Sequence, residues 1–174
     1  MPSDNIHNYI YFYNKAEVLD SLYNAIQSNN LPFIKQALKT FDPSCFYNNN
    51  LLHRTAQVGA IEIAEYLLSQ GFEVNKADCR KYIGYTPLHY AALTDQGPIA
   101  IFLLEKGANI NAIAYKGQKP FDIARQKGYV SFIDNVSIYL SYQSQQQEKE
   151  DGYLTDNETI EVLPKINISG EVDY

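Results

Sequence analysis

Few residues in this chain have types able to do chemistry, and they lie far apart. Histidines stand at positions 7, 53 and 89, and cysteines at 45 and 79. No CxxC, HxxxH or HExxH spacing joins them, so no zinc-type ligand set is written into the chain. The glycines form neither a phosphate-cradling loop nor a Gly-x-Ser-x-Gly nucleophile turn. Cys79 precedes Arg80 and Lys81, cations that lower a thiol's pKa, but the sequence places no base beside it. Two cysteines make no disulfide framework and read as free thiols of a reducing compartment. Asn135-Val136-Ser137, Asn157-Glu158-Thr159 and Asn167-Ile168-Ser169 fit the glycosylation pattern, but without a secretory signal they read as chance matches. No catalytic residue, metal ligand or cofactor is assigned, and the chain is not expected to be an enzyme.

Charge narrows the partner. Residues 144–174 carry eight carboxylates against Lys149 and Lys165, while residues 1–143 hold twelve acids and twelve bases. The whole net charge of -6 therefore sits in the tail. A neutral body with an acidic tail argues against nucleic acid as the main partner. No stretch reaches the ~18 apolar residues of a membrane span. Met1 to Asn14 contains no basic residue and no long apolar core, unlike a secretory signal. A cytoplasmic monomer without membrane contact is expected, with export by a route lacking a cleaved signal left open.

The elements that would position any site come from an internal repeat. Asn50-Leu51-Leu52-His53-Arg54-Thr55-Ala56 is followed by Gly59, Ile63-Ala64, Leu67-Leu68 and Gly71. Thr86-Pro87-Leu88-His89-Tyr90-Ala91-Ala92 is followed by Asp95, Ile99-Ala100, Leu103-Leu104 and Gly107. Lys119-Pro120-Phe121-Asp122-Ile123-Ala124 leads to Gly128 and Phe132-Ile133. Upstream, Ala25-Ile26, Asn29, Phe33-Ile34 and Ala37-Leu38 keep the same internal offsets. His89 to Asp122 is 33 residues, and His53 to His89 is 36.

Each unit reads as helix, tight turn, helix, loop. Pro87 and Pro120 fit a first helical turn, and Thr86 fits an N-cap. Gly59, Gly128, Asn29 and Asp95 share the place between paired helices, where positive φ is expected. Gly71 and Gly107 fit C-caps. Ile63, Leu67, Leu68 and Ile99, Leu103, Leu104 fall at helical spacing and should pack between neighbouring units.

Over about residues 16–143 the chain resembles the ankyrin-repeat family, whose signature is Thr-Pro-Leu-His-x-Ala at a ~33-residue period. The resemblance implies an all-α solenoid of four stacked repeats with short loop fingers, at about 16–47, 48–80, 81–113 and 114–143. The first lacks the Thr-Pro-Leu-His stretch, and the fourth has Asp and Lys where the signature has His and Thr, as terminal caps often do. Residues 1–15 form a lead-in, and 144–174 an acidic tail. Gln143 to Asp151 contains no apolar residue and is expected to be a disordered linker. The acidic tail as a whole is expected to be disordered; Thr159 to Ile168 is more apolar, and the alternative for it is a strand added to a partner's sheet edge or a segment folding back.

The same resemblance gives His53 and His89 a structural role: hydrogen bonds from the imidazole to loop backbone between repeats. It also implies a protein partner bound on the concave face, by fingers and first helices. Carried over by position, the partner-binding residues are Tyr47, Arg54, Arg80, Lys81, Tyr82, Tyr85, Tyr90, Leu93, Thr94, Tyr115 and Lys116. Tyr47, Tyr82, Tyr85 and Tyr115 would line one edge as fingertip aromatics suited to hot spots. Against this, the chain's heavy use of Asn, Ile, Lys and Tyr fits compositional bias, with the rings merely shielding loops. Three inserted residues near Lys81-Tyr82-Ile83 lengthen the middle finger. A scaffold or adaptor is the expected function. The alternative is an inhibitor or regulatory subunit of an enzyme, or a secreted host-directed effector, using the same surface.

Overall fold

The computed structural model describes residues 4–78, 84–150, 165–166 and 172–173. It holds eight α-helices in four consecutive pairs. They are α1 (Asp4–Gln27) with α2 (Leu31–Thr40), α3 (Leu51–Val58) with α4 (Ile61–Ser69), α5 (Pro87–Leu93) with α6 (Gly97–Glu105), and α7 (Pro120–Lys127) with α8 (Val130–Glu150). The first helices stack as one row, α1 on α3, α3 on α5 and α5 on α7; the second helices form the other row.

The turns inside the pairs obey the repeat. Asn29, Gly59, Asp95 and Gly128 all have positive φ, at 50°, 78°, 57° and 68°. Glycine meets this without a Cβ penalty, and Asn or Asp tolerate it best among the rest. The core is a ladder of aliphatic side chains between repeats. Leu22, Ile26, Ile34, Ile63, Leu67, Leu88, Ile99, Leu103, Phe132 and Val136 are fully buried. Leu68 and Leu104, expected beside them, are only partly buried at its edge.

Polar side chains reach one repeat along and fasten the stack. The Asp95 carboxylate accepts the Phe132 N–H at 2.7 Å. Phe132 is the third residue of α8, so Asp95 caps a helix of the next repeat. Asn75 accepts the Asn109 N–H at 2.8 Å and donates to the Gly107 carbonyl at 2.9 Å. Asp95→Ala should destabilise by about 1–3 kcal/mol, from the lost cap and the strained φ. Asp95→Asn, which keeps both the acceptor and the tolerance of that φ, should stay within about 0.5 kcal/mol of the parent in urea unfolding. Equal losses for Ala and Asn would place the effect in the charge at the helix terminus instead.

One expectation is corrected, at the C-terminal end, and the lead-in takes a definite form. The helix α1 begins at Asp4, so the lead-in and the first repeat's helix are continuous. Residues 143–150, read as disordered linker, are the last turns of α8. Gln, Glu and Lys are good helix formers, and extending an existing helix avoids the nucleation penalty. Beyond it, Lys165–Ile166 pairs antiparallel with Val172–Asp173, Lys165 opposite Asp173. This chain's own ladder thus includes part of the segment read as a strand.

Candidate partner-binding face

The inner row α1, α3, α5 and α7 carries a polar strip built across repeats. The Arg54 guanidinium donates to Gln57 Oε1 and to Gln27 Oε1, each at 2.8 Å, tying α3 to α1. The Thr94 hydroxyl lies 2.9 Å from the Gln57 carbonyl and 3.0 Å from the Tyr90 carbonyl, tying α5 to α3. Leu93 is half-buried beside it. These three expected residues share one face, but Arg54 and Thr94 already hold the repeats in register.

The fingers are locked at their bases. In the third repeat, Asp78 N–H donates to the Tyr85 carbonyl at 2.7 Å and Gly84 N–H to the Asp78 carbonyl at 2.8 Å. Gly84 has φ +83°, and a Cβ there would stand 3.1 Å from Ala114 Cα of the next finger. Arg80, Lys81 and Tyr82 lie outside the described residues, as does Cys79. In the fourth repeat, Ala114 N–H donates to the Gln118 carbonyl at 2.9 Å and closes the turn Tyr115–Gly117. Its tip is apolar and open: Ile113 is 67% exposed and Tyr115 65%, with Lys116 exposed beside them.

The expected tyrosine row is corrected at Tyr85, and Tyr90 is corrected with it. Both are 8% exposed. Tyr85 stacks on the His89 ring with centroids 4.9 Å apart, and its hydroxyl donates to Gln118 Oε1 at 2.9 Å. The Tyr90 hydroxyl donates to the buried Asp78 carboxylate, and its ring meets His53 edge-on. Each ring is held by a partner distant in sequence, so it shapes the finger and presents little surface. Tyr47 is about one-third exposed. Its hydroxyl donates to the Gln70 carbonyl at 2.7 Å, and its ring stands edge-on to Phe72.

The histidines are linkers between repeats. His53 Nε2 donates to the Tyr85 carbonyl, and His89 Nε2 to the Gln118 carbonyl, both at 3.1 Å. His89 Nδ1 accepts the Thr86 N–H at 3.1 Å, with the Thr86 hydroxyl 2.9 Å away. An Nδ1 that accepts fixes the neutral Nε2–H tautomer. Burial pushes the His89 pKa below the ordinary imidazole value, partly opposed by the Gln118 carbonyl. Asp122, at the equivalent place in the last repeat, makes a long 3.4 Å contact to the Lys119 N–H. Among the described residues no group of three His, Cys, Asp or Glu side chains could hold a metal ion, and no helix is long and apolar enough to cross a membrane.

Sequence reasoning missed Asn75, Asp78 and Ile113. Asn75 had a signal, since Asn111 follows it at the same 36-residue spacing as the two histidines. Asp78 had none, because Ala114 takes its place in the next finger.

Paired helices stacked in two rows, with histidine-braced fingers along one edge, define a helical repeat solenoid. A family model for ankyrin repeats, in three copies, matches residues 22–114, and the chain belongs to the ankyrin-repeat family. Ankyrin repeats generally mediate protein–protein interaction and are generally non-catalytic. An ankyrin and IPT/TIG repeat-containing protein of Schizosaccharomyces pombe is 35% identical over 121 residues, 68% of this chain and 10% of the relative. A probable 26S proteasome regulatory subunit of Saccharomyces cerevisiae, p28, is 35% identical over 91 residues, 51% of this chain and 39% of the relative. The human palmitoyltransferase ZDHHC17 is 34% identical over 77 residues, 44% of this chain and 12% of the relative. The chain thus spans between a tenth and two-fifths of these relatives' lengths.

Proposed function

We propose that this chain is a non-catalytic interaction module that binds a protein partner along the inner helices and finger tips. The observation that carries this reading is the fourth finger, where Ile113 and Tyr115 stand about two-thirds exposed on a turn braced from below. Large apolar side chains held open on a rigid base suit a hot spot, because little ordering remains to be done on binding. Arg54, Leu93 and Thr94 line the floor, and Lys116 adds positive charge at the rim. Arg80, Lys81 and Tyr82 belong to the same proposal through their place in the neighbouring finger. Tyr85 and Tyr90 serve it as braces.

A photo-crosslinking side chain tests this when placed at Tyr115, with Tyr66 on the outer row as the control. The expected result is one protein captured at position 115, not at 66, with at least a tenfold smaller yield in a folded Leu93→Asp variant, matching ~1.4 kcal/mol or more. Capture from position 66 alone would overturn the reading. The relative named as a proteasome regulatory subunit supports regulation as a second reading. Stoichiometric change in the captured partner's own activity separates regulation from scaffolding.

A further inference from the structure

The inner strip holds a cation that no carboxylate meets among the described residues. The ion pairs found there, Lys76–Glu73 and Lys106–Glu65, do not involve Arg54. Neither α3 nor α5 contains an acid. On α1 the acid nearest to Gln27 in sequence is Asp20, roughly 10 Å back along the axis at ~1.5 Å per residue. The Arg54 guanidinium is instead held between two neutral acceptors, Gln57 Oε1 on its own helix and Gln27 Oε1 at the end of α1.

That clamp fixes which groups are left over. A guanidinium carries only donors, so the carbonyl end of each glutamine must face it. Both NH2 ends are thereby turned away from Arg54. Neither meets an acceptor among the described residues, and the guanidinium N–H groups outside these two bonds meet none either. The cluster therefore presents donors only, around one full positive charge. It is open to a ligand, since Arg54 and Gln57 are half-buried and Gln27 is exposed. Apolar surface adjoins it: the Thr94 hydroxyl bonds to the Gln57 carbonyl, and the half-buried Leu93 precedes Thr94 on α5.

We infer, on the reading that the inner helices bind a protein, that Arg54, Gln27 and Gln57 form a receptor for a carboxylate. The partner presents an aspartate or glutamate to it, next to an apolar side chain that rests on Leu93. One cation among neutral donors matches the single charge of a carboxylate, whereas a nucleic-acid backbone calls for a cation at each of several phosphates. Guanidinium–carboxylate bonds are charge-assisted and roughly twice as strong as neutral ones. The glutamines hold the fork in place before the partner arrives, so little side-chain freedom is lost on binding. A lysine, as a flexible point charge, would not be gripped from both sides in this way.

The probe is a displayed library of short random peptides, panned on the full chain, with the selected sequences synthesised for affinity measurement. The expected result is an excess of Asp or Glu at one position, next to an aliphatic or aromatic residue. Changing that acid to its amide should weaken binding at least about tenfold on the parent but less than about twofold on Arg54→Met, a non-additivity that seats the acid on the guanidinium. Gln27→Glu puts a carboxylate of the chain's own in the place of the carboxamide. It should match the parent in urea unfolding and still bind the acidic peptides at least about tenfold more weakly. Three results would overturn the inference: selected peptides with no acid excess, an acid whose removal costs the same on parent and Arg54→Met, or no selected peptide at all. Selected peptides of the first two kinds that are lost on a folded Leu93→Asp variant would leave the inner helices as the binding face. Peptides indifferent to both Leu93→Asp and Arg54→Met would end both readings.

Discussion

Gly97→Ala should destabilise the protein by about 1–3 kcal/mol, the range for forced overpacking. Alanine normally stabilises a helix relative to glycine by roughly 0.5–1 kcal/mol, so the sign is a test. Gly97 opens α6 with ordinary backbone angles, and its surroundings decide the outcome. A Cβ there would lie 2.5 Å from the Ser131 carbonyl oxygen and 2.5 Å from Asn135 Nδ2. An amide side chain can swing away, but a carbonyl inside α8 cannot move without α8. Thermal and urea unfolding of Gly97→Ala should show the loss, and Gly97→Ala/Ser131→Ala should recover little of it. Hydrogen exchange should place the weakened protection in α7 and α8 first, because repeats couple chiefly to their neighbours. A stabilised Gly97→Ala would show that α6 and α8 stand further apart than described.

His89→Leu should cost about 2–5 kcal/mol, a large part of the 5–15 kcal/mol typical of a whole domain. Leucine fills much of the volume but leaves the buried Thr86 N–H without its acceptor, while the Gln118 carbonyl loses the imidazole and keeps only the Ala114 N–H. The orphaned N–H costs about 1–3 kcal/mol, and the lost bond to Gln118 about 0.5–1.5 kcal/mol more. The variant should also flatten the pH dependence of stability. The folded His89 pKa lies below its ordinary value, so the unfolded chain takes up the proton first as pH falls. The contribution is fully present above the unfolded imidazole pKa of about 6.5. It is lost progressively as pH drops from there to the folded value. Protonation puts a hydrogen on Nδ1, where the Thr86 N–H now points, which gives the loss a geometric cause. Urea midpoints measured across this window should converge for parent and His89→Leu as pH falls. Parallel curves would assign the acid sensitivity to another group.

The repeat was legible because its determinants are local. A left-handed turn needs Gly, Asn or Asp, and residues 29, 59, 95 and 128 supplied them at one offset. The buried aliphatics followed from helical spacing in the same way. Tyr85 and Tyr90 were misread because their burial depends on Gln118 and Asp78, partners that no local pattern announces. A tyrosine in a loop looks the same whether its hydroxyl meets solvent or a carboxylate. Gly97 reads as a weak helix start until α8 is seen against it. The glutamine-rich end of α8 satisfies two rules at once, too polar for a core yet made of helix formers, and the pre-existing helix decided between them.

The fasteners described above share one property: each joins a residue to the adjacent repeat and none skips across two. Asn75 with Gly107, His89 with Gln118 and Asp95 with Phe132 connect positions 32, 29 and 37 residues apart. A pull on the chain ends would therefore load them in series, like links rather than parallel cables. Each repeat that yields would release its own ~33 residues, about 110 Å of slack at full extension, while its neighbours still hold. A globular core that closes on itself resists such a pull all at once. This architecture resists it one rung at a time.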